Sequence, residues 1–139
     1  MKRIATLAAC FLALWIGNAM SGEAEVKAAQ SVIDSQLKAF SIDDNAGAYS
    51  HAAPNIKRMF PTLDSFMGMV SGAYKPVYKP LNYAFGKAEE MSPTSVVQQV
   101  LLVGPDGKDY EAVYTLELQA DGTYQITSVS LRASNALST

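Results

Sequence analysis

The chain has 139 residues, 49 % of them hydrophobic and 17 % charged, with a net charge of −2 and a single histidine. One histidine excludes a multi-histidine metal site, and the carboxylates show no recognisable ligand spacing, so no metal or cofactor is expected. Lys and Arg are scattered along the chain, so the basic footprint of a nucleic-acid binder is missing.

Lys2 and Arg3 precede an apolar run from Ile4 to Ala19, followed by Met20-Ser21-Gly22-Glu23. A positive start, an apolar middle and small residues before a cut make residues 1–19 an export signal, and the protein is expected in the periplasm or outside the cell. Gly17 and Ala19 suit cleavage before Met20, while Ala19 and Ser21 suit cleavage before Gly22. Either register leaves about 120 residues, the size of one domain with one core. An uncleaved anchor is the rival reading, but the run is shorter than the roughly 20 residues a spanning helix needs. A lipoprotein reading rests on Leu7-Ala8-Ala9-Cys10. It leaves only Ile4 to Ala9 as apolar middle, short of the usual ~7–15 residues. Loss of Cys10 with the signal removes disulfide, thiol and Cys-metal chemistry together. Loss of Lys2 and Arg3 takes 11 basic residues to 9 against 13 acidic ones, and the net charge from −2 to −4.

Val26, Ala29, Ile33, Leu37 and Phe40 recur at three- and four-residue steps, which predicts an amphipathic helix from Glu23 to about Phe40. Asp43-Asp44-Asn45 then caps a short helix through about His51, which Pro54 stops. Ile56, Met59 and Phe60 make one further apolar turn. Thr62 is the N-cap of a helix whose buried side reads Leu63, Phe66, Met67, Val70 and Ala73, ending near Gly72.

The rhythm changes after that helix. Lys75-Pro76-Val77-Tyr78-Lys79-Pro80 is expected to be extended, because each proline disfavours a helical residue before it. Leu81, Tyr83 and Phe85 alternate with smaller or polar residues in a first strand to about Glu90, and residues 91–94 form a turn. Val96 to Val103 is a nearly continuous apolar run, as in a central strand. Gly104-Pro105-Asp106-Gly107 supplies a reversal into a strand with Tyr110, Ala112, Tyr114, Leu116 and Leu118 on one face. Asp121-Gly122 signals another hairpin. In the last strand Tyr124 and Ile126 have one parity and Val129 and Leu131 the other, so a bulge near Thr127-Ser128 is needed to keep a single buried face.

Helices first and strands afterwards predict an α+β domain over residues 23–134, with residues 135–139 frayed. A curved antiparallel sheet of about four strands wraps around the N-terminal helices. The first and third helices are expected to close its apolar face. The order of elements, together with Gln36-Leu37-Lys38-Ala39-Phe40, Asp43-Asp44, Ala53-Pro54-Asn55-Ile56, Phe66, Met69-Val70, Tyr74 and Asp121-Gly122-Thr123-Tyr124-Gln125-Ile126, resembles a bacterial exported family of unknown function. That family is similar to a branch of the nuclear transport factor 2-like, or cystatin-like cone, superfamily. The resemblance implies a cone with a pocket at its open end. It implies no single activity, since the superfamily includes isomerases, dehydratases, ligand binders and interaction domains.

Asp43 and Asp44 are candidate carboxylates for acid-base chemistry, set against helix capping and solvation. His51, near Tyr49 and Asp44, is a candidate proton carrier, set against the closing of a helix end. Among the many aromatic and thioether side chains, Met69, Tyr83 and Tyr114 are the candidate walls of a ligand cavity, although such bulk also serves a small domain's core. No Gly-rich phosphate loop or Gly-x-Ser-x-Gly turn is present. The reading favoured is an exported, non-catalytic cone that binds a small apolar or amphipathic molecule or a protein partner, with a homodimer through the sheet as a further expectation. It has no stable membrane anchor once the signal is removed. The alternatives are a small isomerase, dehydratase or hydrolase using Asp43 or Asp44 with His51, and an envelope structural or assembly subunit.

Overall fold

A computed structural model describes residues 21–134; the expected export signal and the C-terminal residues expected to fray lie outside the described residues. Helix α1 (Ser21–Ser41) carries Ala29, Ile33, Leu37 and Phe40 on one stripe, all at most 2 % exposed. Glu23 in its first turn and Lys38 in its last both suit the helix dipole. It ends in a paired-bond cap: Asp43 N–H donates to Phe40 O and Asp44 N–H to Ala39 O, while Asp43 takes a left-handed φ of 60°. Asp43 therefore closes α1. Asp44 alone caps α2 (Asn45–Ser50), accepting from the Gly47 N–H at 3.0 Å.

After α2 the chain runs beside the last strand. Ala52 forms a parallel bridge with Ile126, flanked by Ala53 N–H to Ile126 O at 2.8 Å and Ile126 N–H to His51 O at 2.9 Å. Pro54 does not stop a helix, since α2 has already ended at Ser50. It begins α3 (Pro54–Met59), where its missing N–H is no loss. Helix α4 (Leu63–Ala73) starts with a reciprocal cap between Thr62 and Ser65. Phe66 and Val70 are its buried residues; Ala73, expected on the buried side, is exposed.

Residues 75–80 correct the expectation of an extended segment. Lys75–Tyr78 form a single helical turn, α5, with Pro76 in its first turn and Pro76 and Val77 buried. Burial of that pair outweighs the bias that Pro76 puts on Lys75. Only Lys79, before Pro80, leaves the helical region, at φ −141° and ψ 66°.

Four antiparallel strands follow in spatial order β1 (Asn82–Ser92), β2 (Ser95–Val103), β3 (Asp109–Leu118) and β4 (Tyr124–Ala133). The β2–β3 and β3–β4 turns place Gly107 and Gly122 at φ of 80° and 87°, where a side chain would be strained. In β4, Thr115 pairs with Ser128 and Leu116 with Ile126, so Thr127 is the extra residue of the expected bulge. Tyr124 and Ile126 then share the core side with Val129 and Leu131. In β1 a second irregularity sets Gly86 and Lys87 against Gln99. There the fully buried Gln98 side chain donates toward the carbonyls of Gly86 and Lys87 and accepts from Gln30 at 2.9 Å. A polar residue inside the apolar run of β2 thus satisfies backbone groups that the bulge frees.

The curved sheet is closed by α1, which lies across β1, β2 and β4, with α3 against β4 and α5 against β2. Helix α4 packs chiefly on α2 and α5 instead. The expectation that the third helix would seal the sheet is corrected accordingly. The short turns α3 and α5 bring the chain back to the sheet at either end of α4, and α4 spans the gap between them. Among the described residues no helix is long and apolar enough to cross a membrane.

Candidate functional site

The gap under α4 is a cavity of about 280 Å³, just below the ~300–1,000 Å³ usual for small-molecule sites. Phe40 of α1 and Val77 of α5 line it, as do Ile56 and Met59 of α3. Phe66, Met69 and Val70 of α4 form a further wall, and the bulged segment Ile126–Val129 of β4 forms the wall on the sheet side. The Thr127 bulge is what turns both Ile126 and Val129 toward this space. An uninterrupted strand would put them on opposite faces.

Aromatic contacts fix the wall. Phe40 and Phe66 stack at 6.5 Å between ring centroids, Tyr49 leans on Phe66 at 4.9 Å, and Phe40 meets Tyr78 edge-on at 5.7 Å. The Tyr49 hydroxyl donates to Phe60 O at 2.6 Å, tying α2 to the end of α3. Tyr74, the residue that closes α4, donates to Val129 O at 3.2 Å and so joins α4 to β4 across the cavity.

The polarity of the lining is low. Among the described residues no Lys, Arg, Asp, Glu or His lines the cavity, and its polar residues are Gln36, Tyr74, Thr127 and Ser128. The Thr127 hydroxyl donates to Thr115 O at 3.1 Å. Gln36 belongs to the buried stripe of α1, is 5 % exposed, and its side-chain amide donates to Ala48 O at 3.1 Å.

The residues singled out from the sequence are distributed around this site rather than gathered in it. Met69 lines the cavity. Asp43 is exposed and forms an ion pair with Lys79 at 2.8 Å, and Asp44 is the α2 cap. His51 follows the last residue of α2, and its own N–H bonds back to Ala48 O. Burial, and then the neighbouring Lys57 charge, hold its imidazole below the ordinary histidine range. Tyr83 borders a second, shallower recess at the ends of β1, β2 and β3. Its hydroxyl donates to Asp34 at 2.6 Å. Burial first, and then that carboxylate, push the phenol up to about 12. Tyr114 is wholly inside the core, bordering neither space, and its hydroxyl has no partner among the described residues. Burial again raises its phenol.

Sequence reasoning passed over Gln36, Phe40, Phe60 and Thr127 as site residues. For Gln36 a signal existed: it falls three residues after Ile33 and four before Phe40, a polar side chain on an otherwise apolar stripe. Phe40 and Phe60 carry no mark that separates a cavity wall from a core. Among the described residues no cluster of three or more His, Cys, Asp or Glu could hold a metal ion.

No functionally curated protein matches this chain. Two solved structures are similar to it. One, from Catenulispora acidiphila, is 16 % identical with a TM-score of 0.51, the match covering 85 % of this chain and 97 % of that one. The other, from Kribbella flavida, is 15 % identical with a TM-score of 0.46, over 76 % of this chain and 85 % of that one. At such identities the first shares a fold with this protein and nothing more follows from it. A family model matches residues 23–139, spanning α1 through β4, and the chain belongs to that family, the domain of unknown function DUF4864.

Proposed function

We propose that this protein is an exported, non-catalytic binding domain of the nuclear transport factor 2-like type that holds a small apolar or amphipathic molecule under α4. The observation that carries the proposal is the uncharged cavity of about 280 Å³ walled by aromatic, aliphatic and thioether side chains. Burial of apolar ligand surface drives binding at such a site, and the few polar groups orient the ligand. Asp43, Asp44 and His51 line no part of the cavity, which favours binding over acid-base turnover.

Uptake of toluene, followed by line broadening of its proton resonances, tests this reading. Removal of an aromatic wall is unsuitable for the comparison. Phe66→Ala costs about 3–5 kcal/mol, a large share of the ~5–15 kcal/mol that holds a domain together. Met69→Trp fills the space from a half-buried position instead. Broadening by the wild type and none by Met69→Trp is the expected result; no uptake by the wild type, or equal uptake by both, overturns the proposal.

The outer face of the sheet favours one further reading. Val97 and Leu101 of β2 and Val113 of β3 point away from the helices, with Leu101 43 % exposed. A second copy of this chain covering that face forms a homodimer through the sheet. Sedimentation equilibrium that gives a monomer at every concentration removes this reading.

A further inference from the structure

Among the described residues, Gln36 is the one deeply buried polar side chain on the cavity wall, and its hydrogen-bonding capacity is unfilled. Its Nε2 donates to Ala48 O, which fixes the orientation of the carboxamide. Among the described residues none donates to the Oε1 atom, although the residue is only 5 % exposed and forms part of the lining. That oxygen is not sealed in the core as the Tyr114 hydroxyl is, so it stays reachable by a small molecule, and an acceptor left without a donor on an apolar wall forgoes a hydrogen bond.

None of the other polar side chains of the wall bonds to it, and two of them are committed elsewhere. The Tyr74 proton is given to Val129 O and the Thr127 proton to Thr115 O. Helix α1 holds Gln36 between the buried Ile33 and Phe40, so its position is set by core packing. A volume of about 280 Å³ is roughly nine waters' share of liquid. That admits a single ring or a short branched chain, and it is small for a long acyl chain.

We infer that the cavity selects a small neutral molecule with an apolar body and one hydrogen-bond-donating head, such as a phenol, an alcohol or a primary amide, and that Gln36 Oε1 accepts from that head. The inference rests on the binding function proposed above and adds the ligand's chemical class. Carboxylates are excluded on two grounds. The ionised group has no proton for Gln36, and among the described residues no lysine or arginine lines the cavity to offset its desolvation.

The test uses the full folded domain with three probes of one shape: 4-ethylphenol, ethylbenzene and 4-ethylbenzoate. The quantity read is the ratio of the dissociation constants for 4-ethylphenol and ethylbenzene in the wild type and in Gln36→Met, which keeps length and removes the acceptor. The ratio is expected to move by about fivefold in favour of ethylbenzene in the variant, and 4-ethylbenzoate is expected not to bind the wild type. A second readout needs no variant: the Gln36 Cδ resonance of labelled wild-type protein shifts with 4-ethylphenol and stays in place with ethylbenzene. If both neutral probes bind with an unchanged ratio or an unmoved Cδ signal, or if 4-ethylbenzoate binds as well as the phenol, the assignment to Gln36 falls while the binding function stands. If none of the three binds the wild type, both fall together. Should Gln36→Met fail to fold, the Cδ signal alone decides.

Discussion

The side-chain amide of Asn55 donates to the backbone carbonyl of Thr127 at 3.0 Å, so a residue of the helical half holds the bulge of the last strand. Thr127 is pinned from the other side by its own hydroxyl on Thr115 O. The cavity rim at β4 therefore depends on a contact 72 residues apart in sequence. Asn55→Ala is expected to cost about 1–2 kcal/mol by leaving that carbonyl unpaired. It should also speed amide exchange around Thr127, both measurable by urea denaturation with hydrogen exchange. Unchanged exchange at residues 126–129 would show that the strand keeps its own shape.

The two adjacent aspartates separate by substitution. Asp44→Ala removes the α2 cap and is expected to cost about 1 kcal/mol. Asp43→Gly relieves a left-handed backbone and loses only an exposed ion pair, so stability should hold or rise by up to about 1 kcal/mol. Thermal melts of both variants check the contrast. Loss of ligand uptake in Asp43→Gly with stability retained would revive a chemical role for that carboxylate.

Tyr114→Phe is expected to be neutral or stabilising, by up to about 1 kcal/mol, because the hydroxyl it deletes is buried without a partner among the described residues. Denaturant midpoints test this. A marked loss would mean that the hydroxyl has an unseen partner, an ordered water being the simplest.

Stability should fall at both ends of the pH range, for opposite reasons. Tyr83 ionises near 10 when unfolded and about 12 when folded, so the stability it contributes is complete below 10 and is lost as the pH rises through about 12. Tyr83→Phe should flatten that alkaline limb. The His51 imidazole lies below its ordinary 6.5 in the fold, so below about 6.5 the unfolded chain binds the proton more readily and stability drops with acid. His51→Gln should flatten the acid limb. Chemical denaturation across the pH range reads both.

Where local chemistry decides the backbone, the sequence was legible. The stripe Ala29, Ile33, Leu37 and Phe40, the Thr62 cap, the two glycine turns and the parity change in β4 each followed from residues within one element or turn. The Lys75–Pro80 segment was misread because the burial of Pro76 and Val77 is a tertiary term that the proline rule does not contain. The cavity was legible only as a class of lining. Met69 and Tyr114 look alike as apolar bulk in the sequence, yet one faces the gap under α4 and the other fills the core. Which of them borders empty space depends on how far α4 stands from the sheet, and no local pattern encodes that distance.

The bridge between Ala52 and Ile126 has a consequence for association in concentrated solution. Strand β4 is an outer strand of the sheet, and the helical half occupies its hydrogen-bonding groups at Ile126. Strand β1, on the opposite margin, is broken by the Gly86–Lys87 irregularity and carries Lys87, Glu89 and Glu90 exposed. One margin is thus partly plugged and the other is kinked and charged, so neither offers the long, flat, unpaired template that strand-by-strand polymerisation into fibrils requires.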